Sequence, residues 1–531
     1  MAQVKSRRVR PKKPPTLTSF NPRTGEVLGE AAATPPDEVA EVVARARKIQ
    51  PEWGAIPPKG RVLILKEIRH RIYDNLDGIV ETVSNETGKP RAEALVTDVL
   101  PSVLTLVYYE RSAARHLRPQ TVGRVFAPLT GAIGTIQWQP FGVVGCISPW
   151  NYPFFLSIMA IAPALFAGNC VVLKPSEVTP GVGERLREVL DPLPPGVAEV
   201  IQGAGDVGAA LVDAPCDKIA FIGSPGTGRK IAEAAAKHLT PVVMELGGKD
   251  AAIVCEDADI DVASSGVLWG SFVNAGQTCA AVERIFVHER IADEFTDQLL
   301  MKLKRLRFAQ QDDGDIGALT LKRQFDTVER HARDAVDKGA QLLAGGADAG
   351  PPNTGGSLWF APTVLEGVTD EMDLAREETF GPLVPIIRVR NDDEAVRRTN
   401  EDAFNLTSSV WTKDTEKGRR LASQIRCGAV GINEGGATAS GLPFGPWGGV
   451  GESGYGRLSG KEGLREFVFP THVAKKIVPR MKSLWWYPYD ESTVMTLRSV
   501  VEVMSGPTVK HKLDAVPRLA SSLRGAFKSK L

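Results

Sequence analysis

One cysteine of this 531-residue chain, Cys279, has unusual neighbours: in "NAGQTCAAVER" it lies among small and amide side chains, with Arg284 shortly after it. A thiolate is a strong nucleophile, so the residue could form a covalent intermediate with an electrophilic carbon. It could equally be a metal ligand, half of a disulfide or a small buried hydrophobe, and the last is common for a lone cysteine. The residue type alone leaves its role open.

Three other stretches place a polar residue in unusual company. Asn151 lies between aromatics and prolines in "SPWNYPFF", Glu245 ends a β-branched run in "VVMELGGK", and Glu378 precedes Phe380 in "EETFGP". An amide can stabilise an oxyanion, and a carboxylate can act as a general base. Each also has an ordinary explanation, since Asn151 could cap a turn, Glu245 could pair with Lys249, and Glu378 could be a surface charge. Together with Cys279 they are far more specific.

Two glycine-rich turns are candidates for binding phosphate. "GAGDVG" fits a GxGxxG pattern, and "FIGSPGTGRK" leads from an apolar run through Gly223 and Ser224 into a helical pattern. Tight turns between strands and helices need glycine in any case. The second turn lacks the GK[ST] ending of a nucleoside triphosphate site, but a helix start with free N–H groups suits a pyrophosphate. A dinucleotide is therefore the expected ligand.

These residues need a framework, and the pattern of the chain predicts one. Helical periodicity begins near residue 36, extended segments follow up to residue 150, and then short β-branched runs such as "CVVLKP", "KIAFIG", "AAIVCE" and "RIFVHE" alternate with helical stretches. This alternation is typical of βαβ units and a mostly parallel sheet. In such α/β folds, function gathers in the loops beyond the carboxyl ends of the strands.

Composition narrows the function classes. A length of 531 residues exceeds one core, so at least two domains are expected, and a formal net charge of +1 makes nucleic acid a poor first guess. The cysteines show no CxxC pair and no histidine at ligand spacing, which predicts neither a zinc site nor disulfides and favours a reducing compartment such as the cytoplasm. They are Cys146, Cys170, Cys216, Cys255, Cys279 and Cys427.

Two kinds of membrane signal are not expected. The basic, proline-rich start "MAQVKSRRVRPKKPP" has no apolar region of the kind found in secretory signals, and we expect residues 1–19 to be disordered. We also find no uninterrupted apolar run of about 20 residues that would span a bilayer.

Taken together, these landmarks resemble the NAD(P)-dependent aldehyde dehydrogenase superfamily in its non-acylating, hydrolytic form. The resemblance runs from Asn21 to near Phe467 and rests on "PWN", "LKPSEVTP", "GSPGTGR", "ELGGK", "GQTCAAVER" and "EETFGP" in this order. It implies that Cys279 is the nucleophile, that Asn151 donates to the oxyanion, and that Glu245 is the general base. It implies NAD as cofactor, with NADP also accepted, and no metal. The implied cofactor-binding residues are Ile147, Pro149, Trp150, Lys174, Ser176, Glu177, Gly205, Gly223, Ser224, Leu246, Gly247, Glu378 and Phe380.

The resemblance also implies an architecture. It predicts an α/β fold with a Rossmann-type NAD-binding domain, an α/β catalytic domain and a small bridging sheet through which copies pair as a homodimer or homotetramer. The expected bounds are 20–121 with 140–247 for the first, 248–447 for the second, and 122–139 with 465–480 for the third. Residues 481–531 form an extension that the resemblance does not explain.

Glu245 bears on the alternatives. A CoA-acylating enzyme typically lacks a base at this place, so hydrolysis to a free acid is favoured. A non-catalytic protein that has kept this fold but lost its activity is disfavoured, because Cys279, Glu245 and Asn151 are all present. A cofactor-free cysteine hydrolase would need a histidine base, and none lies in these motifs.

The substrate is expected to be an apolar aldehyde, aliphatic or aromatic. The helical stretch "YPFFLSIMAIAPALFAG" after "PWN" contains no cation that could hold a carboxylate, and Phe154, Phe155 and Met159 are candidates for the wall of the substrate site. The alternatives are that these three side chains are ordinary core and that succinic semialdehyde is the substrate. Phe404 and Asn405, where the family usually has Tyr and Gly, are expected near the substrate funnel.

The C-terminal extension carries its own pattern. Four aromatics precede a helical stretch with one apolar face, and basic residues follow. Such a segment either contacts anionic lipid at the membrane surface or packs against protein, over the substrate entrance or on a neighbouring subunit. The aromatics are Trp485, Trp486, Tyr487 and Tyr489, and the apolar face is Val494, Leu497, Val501 and Met504.

Overall fold

The computed structural model describes residues 15–124, 131–310, 313–479 and 482–528. These residues separate into two compact units. The larger unit comprises the chain up to His116 together with Pro140–Phe469, and the smaller comprises Leu117–Gln139 together with the chain from Pro470. All the residues expected to do chemistry belong to the larger unit.

The first major sheet of the larger unit has six strands, five of them parallel. Its central strands are buried along their whole length, which explains why they read as continuous β-branched runs and not as alternating patterns. In spatial order the strands are Gly454–Tyr455, Val242–Glu245, Lys218–Ile222, Val143–Ile147, Cys170–Lys174 and Ala198–Val200.

The second major sheet has seven strands and is parallel except at one edge, where Gln341–Gly346 runs antiparallel to its neighbour. With helices packed on both sheets, the predicted α/β fold with two parallel-sheet regions is confirmed. In spatial order the strands are Gln341–Gly346, Ala361–Glu366, Leu383–Val389, Val282–His288, Asp250–Val254, Thr407–Trp411 and Ala429–Ile432.

Helices connect the strands and cover the sheets. Pro153–Ala167 is buried at every position and ends at Gly168, whose φ of 104° is a conformation that favours glycine. The α-helices of the larger unit are Val39–Ala55, Pro58–Asp74, Leu76–Thr87, Arg91–Ala94, Leu100–His116, Pro153–Ala167, Pro180–Leu190, Gly205–Asp213, Pro225–Ala236, Ile260–Phe272, Ala292–Leu303, Lys322–Asp337, Asp373–Arg376, Asp392–Asn400, Thr415–Ala422 and Gly460–Glu466. Those of the smaller unit are Glu491–Ser505 and Val509–Lys528.

One helical run, Arg91–His116, is long and apolar enough by composition to cross a membrane. It was not predicted from the sequence. It contains one π-helical turn, Leu95–Val99, and it packs against Pro153–Ala167. Asp98 and Tyr109 are buried within it. Core helices of globular proteins share this length and composition.

Smaller sheets complete the chain. Thr16–Phe20 pairs with Val27–Ala32, so the expectation of a disordered tail over residues 1–19 is wrong for residues 16–19. Residues 1–14 lie outside the described ranges. Phe404–Asn405 pairs with Val450–Gly451. A three-stranded sheet is formed by Gln120–Val122, Ala132–Pro140 and Val468–Lys476.

Candidate active site

Cys279 lies in a tight loop between a helix and a central strand of the seven-stranded sheet. Asn274 and Ala275 in this loop have φ angles of 55° and 53°, a region that costs residues with side chains on the order of 1 kcal/mol each. The Glu93 carboxylate accepts the Asn274 backbone N–H at 2.6 Å, and Gln277 Nε2 donates to the Asn274 carbonyl at 3.0 Å. These bonds hold the loop in one conformation, with Cys279 partly exposed.

Asn151 is buried just before the helix Pro153–Ala167 and is bonded to the same loop. Its Nδ2 donates to the Gln277 carbonyl at 3.0 Å. Its own carbonyl accepts hydrogen bonds from Asn274 Nδ2 at 2.9 Å and from Lys89 Nζ at 2.8 Å. The amide that was predicted to stabilise an oxyanion is therefore held beside the cysteine loop.

The Lys89 ammonium that supports Asn151 belongs to a fully buried ion pair. Lys89 Nζ lies 2.8 Å from Asp98 Oδ2 and 4.1 Å from the centre of the Tyr152 ring. The other oxygen, Asp98 Oδ1, accepts the first backbone N–H groups of the following helix, from Phe154 at 3.1 Å and Phe155 at 3.2 Å. A carboxylate at a helix N-terminus is electrostatically favourable, so the pair fixes the position of this helix start.

Glu245 ends a strand of the six-stranded sheet and is buried. Burial raises the pKa of its carboxyl to about 7, and the facing Cys279 thiol and Trp447 indole only partly offset that rise. Glu245 Oε1 has no hydrogen-bond partner among the described residues. The expected alternative, a pair with Lys249, is wrong, because Lys249 Nζ bonds Glu283 Oε2 at 2.6 Å. A buried carboxylate with an open acceptor and a pKa near neutrality is suited to act as a base.

The Glu245 carboxylate opposes ionisation of the Cys279 thiol, whereas the neutral thiol favours ionisation of Glu245. Burial raises the pKa of the thiol well above its usual range, and the adjacent Glu245 charge raises it further. The pair therefore shares its protons as a coupled system, in which the ionised carboxylate is the group placed to accept the thiol proton.

A large cavity of about 770 Å³ opens in front of these residues, a volume that fits a dinucleotide. The starts of two helices border it at Gly205 and at Ser224. Lys174 Nζ lies 2.9 Å from Glu177 Oε2 on its wall. Burial alone would raise the pKa of Glu177, but the Lys174 charge outweighs it, and the pKa is lowered. The carboxylate is therefore ionised and available to sugar hydroxyls.

Most of the predicted site residues line this cavity, but two do not. Ser176 is buried and its hydroxyl accepts the Val178 N–H at 3.3 Å. Leu246 is buried, and its side chain packs over Gly228. The predicted residues on the cavity wall are Ile147, Pro149, Trp150, Asn151, Lys174, Glu177, Gly205, Gly223, Ser224, Glu245, Gly247, Cys279, Glu378 and Phe380.

Glu378 enters the cavity close to the Gly-Gly turn after Glu245. Its Oε1 accepts the Gly248 N–H at 3.1 Å, and a Cβ at Gly247 would lie 2.2 Å from Oε2, so this approach requires glycine. Burial, and then the charge of Glu283, raise the pKa of Glu378 well above its usual range. Glu283 also accepts the Phe380 backbone N–H at 2.8 Å and so holds the loop that carries Glu378.

A second cavity of about 380 Å³ ends at the same cysteine. Its wall is almost wholly apolar, and Glu434 is the sole charged residue among the described residues that line it. Several apolar side chains at this cavity are solvent-exposed by 39% to 52%, so they form an apolar rim. These rim residues are Val96, Leu100, Leu104, Trp269 and Leu442.

The expected substrate wall is partly wrong. Phe155 lines the apolar cavity, together with its neighbour Leu156. Phe154 and Met159 are fully buried and line neither cavity, so they are core. Phe404 and Asn405 also line neither cavity.

Comparison with known proteins identifies the family. Residues 9–473 match the family model described as the aldehyde dehydrogenase family. This chain belongs to the aldehyde dehydrogenase family. It is an NAD(P)-dependent aldehyde dehydrogenase, which confirms the predicted reaction class.

Named relatives and solved structures agree. A 4,4'-diapolycopene aldehyde oxidase of Methylomonas is 37% identical over 92% of each chain. A protein of Mycolicibacterium smegmatis, provisionally named a succinate-semialdehyde dehydrogenase [NADP(+)], is 39% identical over 85% of this chain and 87% of its own. An aldehyde dehydrogenase of Mycobacterium tuberculosis complexed with NAD+ has a TM-score of 0.82 at 30% identity, covering 89% of this chain and 97% of its own.

Sequence reasoning missed several residues that shape the aldehyde dehydrogenase site. Lys89, Glu93 and Asp98 support Asn151 and the cysteine loop from a segment far away in the sequence. Arg323 lies on the wall of the large cavity, where a cation suits phosphate oxygens. Glu283 could have been recognised from the sequence as a candidate, because it is a charged residue inside the apolar strand "VERIFVH".

The Lys89–Asp98 pair yields a prediction about positioning. We expect Asp98→Asn to lower the free energy of unfolding by about 3–5 kcal/mol, because it leaves a buried ammonium uncompensated. The double variant Lys89→Met/Asp98→Asn should recover most of the melting temperature. Its kcat should stay about 10- to 100-fold low with KM for NAD unchanged, because the Asn151 carbonyl still lacks its ammonium donor. Full recovery of kcat in the double variant would show that the Lys89–Asp98 pair contributes only to stability and not to positioning Asn151.

Proposed function

We propose that this aldehyde dehydrogenase oxidises apolar aldehydes, aliphatic or aromatic, to the free carboxylic acids. The observation that carries the proposal is the apolar cavity, which ends at Cys279 and whose described lining residues include no Lys, Arg or His. A carboxylate in such a wall would be left without a counter-ion, whereas each buried CH₂ of an alkyl chain contributes about 0.8 kcal/mol.

In the proposed first step, Glu245 accepts the thiol proton and the Cys279 sulfur bonds to the aldehyde carbon, which forms a thiohemiacetal. The aldehyde oxygen becomes an oxyanion and receives the Asn151 side-chain N–H, with the backbone N–H of Cys279 as the second donor. Loss of one such donor typically costs about 10²- to 10³-fold in rate. NAD, when bound in the large cavity, is the hydride acceptor.

In the proposed second half of the reaction, the substrate is a thioester on Cys279. Glu245 releases its first proton to solvent and then takes a proton from water, whose oxygen attacks the thioester carbon; this second proton then passes to the leaving sulfur. The bond from carbon to sulfur breaks, the acid leaves and the thiol is restored. The buried carboxylate is supported in this role by its pKa of about 7 and its open Oε1.

The names of the relatives mention two types of substrate, a diapolycopene aldehyde and a succinate semialdehyde. Succinate semialdehyde bears a carboxylate, and Glu434, the charged residue among the described residues of the apolar wall, would repel it. We therefore favour apolar aldehydes over succinic semialdehyde for this chain.

We infer that NAD is preferred to NADP. The ionised Glu177 would accept hydrogen bonds from both ribose hydroxyls and would repel a 2′-phosphate, and Lys174 is already engaged by that carboxylate. A kcat/KM that is higher with NADP than with NAD would contradict this preference.

We also infer the assembly and location. The NAD-binding domain would be residues 20–121 and 140–247, and the catalytic domain residues 248–447. Copies would pair through the three-stranded sheet into a homodimer or homotetramer. The enzyme would work in the cytoplasm, with residues 481–531 in contact with a membrane surface. Mass determination in solution and cell fractionation test these inferences.

The order of the two steps yields a prediction. We expect Glu245→Gln to retain part of a single-turnover release of NADH when the enzyme is mixed rapidly with aldehyde and NAD, because water attack is the step that most needs the base. Steady-state turnover should fall by about 10²-fold or more. Cys279→Ala should abolish both signals. Equal and complete loss of NADH formation in the two variants would refute the assignment of Glu245.

The apolar cavity yields a prediction about substrates. We expect kcat/KM to rise by about fourfold per added CH₂ along a series of straight-chain aldehydes until the cavity is filled, and to be low for succinic semialdehyde. Leu100→Arg at the rim should raise kcat/KM for succinic semialdehyde and lower it for long aldehydes. Leu100→Gln is the uncharged control. A wild-type preference for succinic semialdehyde over hexanal would overturn the proposed substrate class.

A further inference from the structure

The chain continues for 58 residues past the family match, which ends at residue 473. Within this region Glu491–Ser505 and Val509–Lys528 fold back on each other, and we call residues 482–528 the C-terminal hairpin. Asp490 caps the first helix by accepting the Thr493 N–H at 2.8 Å. Arg518 of the second helix bonds Glu502 of the first at 2.6 Å. The hairpin is thus a defined element within the smaller unit.

The C-terminal hairpin leaves much of its apolar surface exposed. The exposed fraction is 57% for Val494, 61% for Val501 and 56% for Met504, and Val509 and Leu513 of the second helix are exposed in the same way. The residues buried within its two helices are small or polar, namely Thr493, Thr496, Ser499, Ala515 and Ala526, and several larger apolar residues are half-buried, namely Leu497, Val500, Val503, Leu519 and Leu523. A helix pair stabilised in water by its own core would expose fewer large apolar side chains.

The exposed residues of the first helix bear on the expectation that its apolar face packs against protein. If that face were buried within this chain, Val494, Val501 and Met504 would be covered. Small residues between helices with large apolar residues outside are instead typical of helices that meet lipid, because lipid solvates the outer face while small side chains let the backbones approach.

Aromatic residues precede the first helix. Trp485, Trp486, Tyr487 and Tyr489 are each exposed by 46% to 68%. The Lys476 ammonium lies 4.3 Å from the centre of the Trp486 ring. Tryptophan and tyrosine favour the boundary between lipid and water, because one end of each side chain is apolar and the other is polar.

Charge identifies the kind of surface. Residues 481–531 contain eight Lys and Arg against four Asp and Glu, a net charge of +4, whereas the whole chain carries only +1. Lys510 and Lys512 are exposed next to the apolar Val509 and Leu513. A second copy of the hairpin would bring the same positive charge against this face, which disfavours it as the partner. An anionic lipid surface is complementary in both charge and polarity.

We propose that the C-terminal hairpin docks on an anionic membrane surface, with Val494, Val501, Met504 and the four aromatics in the boundary layer and the basic residues at the lipid headgroups. Its first helix of 15 residues is about 22 Å long, shorter than the roughly 30 Å of hydrocarbon. The second helix has 20 residues but contains Pro517, Lys510 and Lys512 and is not apolar enough to cross a membrane, so the hairpin lies in the surface and does not span it. Membrane docking would bring the enzyme close to apolar aldehydes, which partition into membranes. Only this biological purpose rests on the proposed substrate class.

Co-sedimentation of the full chain with vesicles tests the proposal. We expect binding to phosphatidylcholine vesicles that contain phosphatidylserine, weaker binding to pure phosphatidylcholine, and release by added salt. The triple variant Val494→Ser/Val501→Ser/Met504→Ser should reduce the partition coefficient by about tenfold or more. Lys510→Glu/Lys512→Glu should abolish the preference for phosphatidylserine.

The matched control is Leu63→Ser/Val336→Ser, two substitutions of exposed apolar residues outside the C-terminal hairpin, and it should bind as the wild type does. Melting temperature and activity on a short, water-soluble aldehyde show that each variant is folded. Absence of vesicle binding, or equal binding by the wild type and the triple variant, would overturn the proposal. A lower oligomer mass of the triple variant in solution would overturn it as well, because it would assign these three residues to a contact between copies. Sedimentation involves no aldehyde, so its failure is distinguishable from failure of the substrate proposal.

Discussion

The site depends on one constraint: a buried carboxylate and a partly exposed thiol face each other, and among the described residues the carboxylate forms no ion pair. Burial raises the pKa of Glu245 to about 7, and burial together with the Glu245 charge raises the pKa of the Cys279 thiol well above its usual range. Neither group can ionise without affecting the other. Because the pKa of Glu245 is raised to about 7, it is a better proton acceptor for the thiol than an ordinary carboxylate would be.

Around this pair, buried ion pairs neutralise two other carboxylates. Asp98 is neutralised by Lys89, and Glu283 is neutralised by Lys249 while it holds the loop that carries Glu378. These ion pairs are buried, and such pairs contribute mainly by fixing positions, since desolvation cancels much of their attraction. Glu245 is left as a buried carboxylate with a free acceptor oxygen among the described residues.

Two cavities of different chemistry meet at Cys279. The larger offers helix starts and charged groups, and the smaller offers an almost uniformly apolar wall. The sulfur thus lies where a polar dinucleotide and an apolar aldehyde can reach it from separate openings. The apolar rim of the smaller cavity and the outward-facing hydrophobic residues of the C-terminal hairpin are separate observations, and both suit an enzyme whose substrate comes from lipid.

Motif residues could be recognised from the sequence, because Glu245 ends a strand, Asn151 follows one and Cys279 precedes one, and each has unusual neighbours. Their supports could not. Lys89 and Asp98 reach Asn151 only through the packing of distant helices, and no local pattern marks that contact.

The substrate wall was hard to predict for a different reason. The helix Pro153–Ala167 is apolar on every side, so periodicity could not tell Phe155 in the cavity from Phe154 and Met159 in the core. In the same way, Ser176 and Leu246 lie next to cavity residues in sequence but face away from the cavity. The first helix of the C-terminal hairpin, by contrast, was indicated by its amphipathic spacing. In the structure Val494, Val501 and Met504 of the predicted apolar face are exposed, and Leu497 is half-buried.

The pH dependence of Cys279 alkylation by iodoacetamide, followed by peptide mass analysis, tests the coupling of thiol and carboxylate most directly. As pH rises through about 7, Glu245 loses its proton and becomes able to accept the thiol proton, so the alkylation rate of the wild type should rise through an inflection near that pH. Glu245→Gln should lack this inflection and show only the later titration of the thiol itself. Identical pH profiles for the wild type and Glu245→Gln would contradict the coupling.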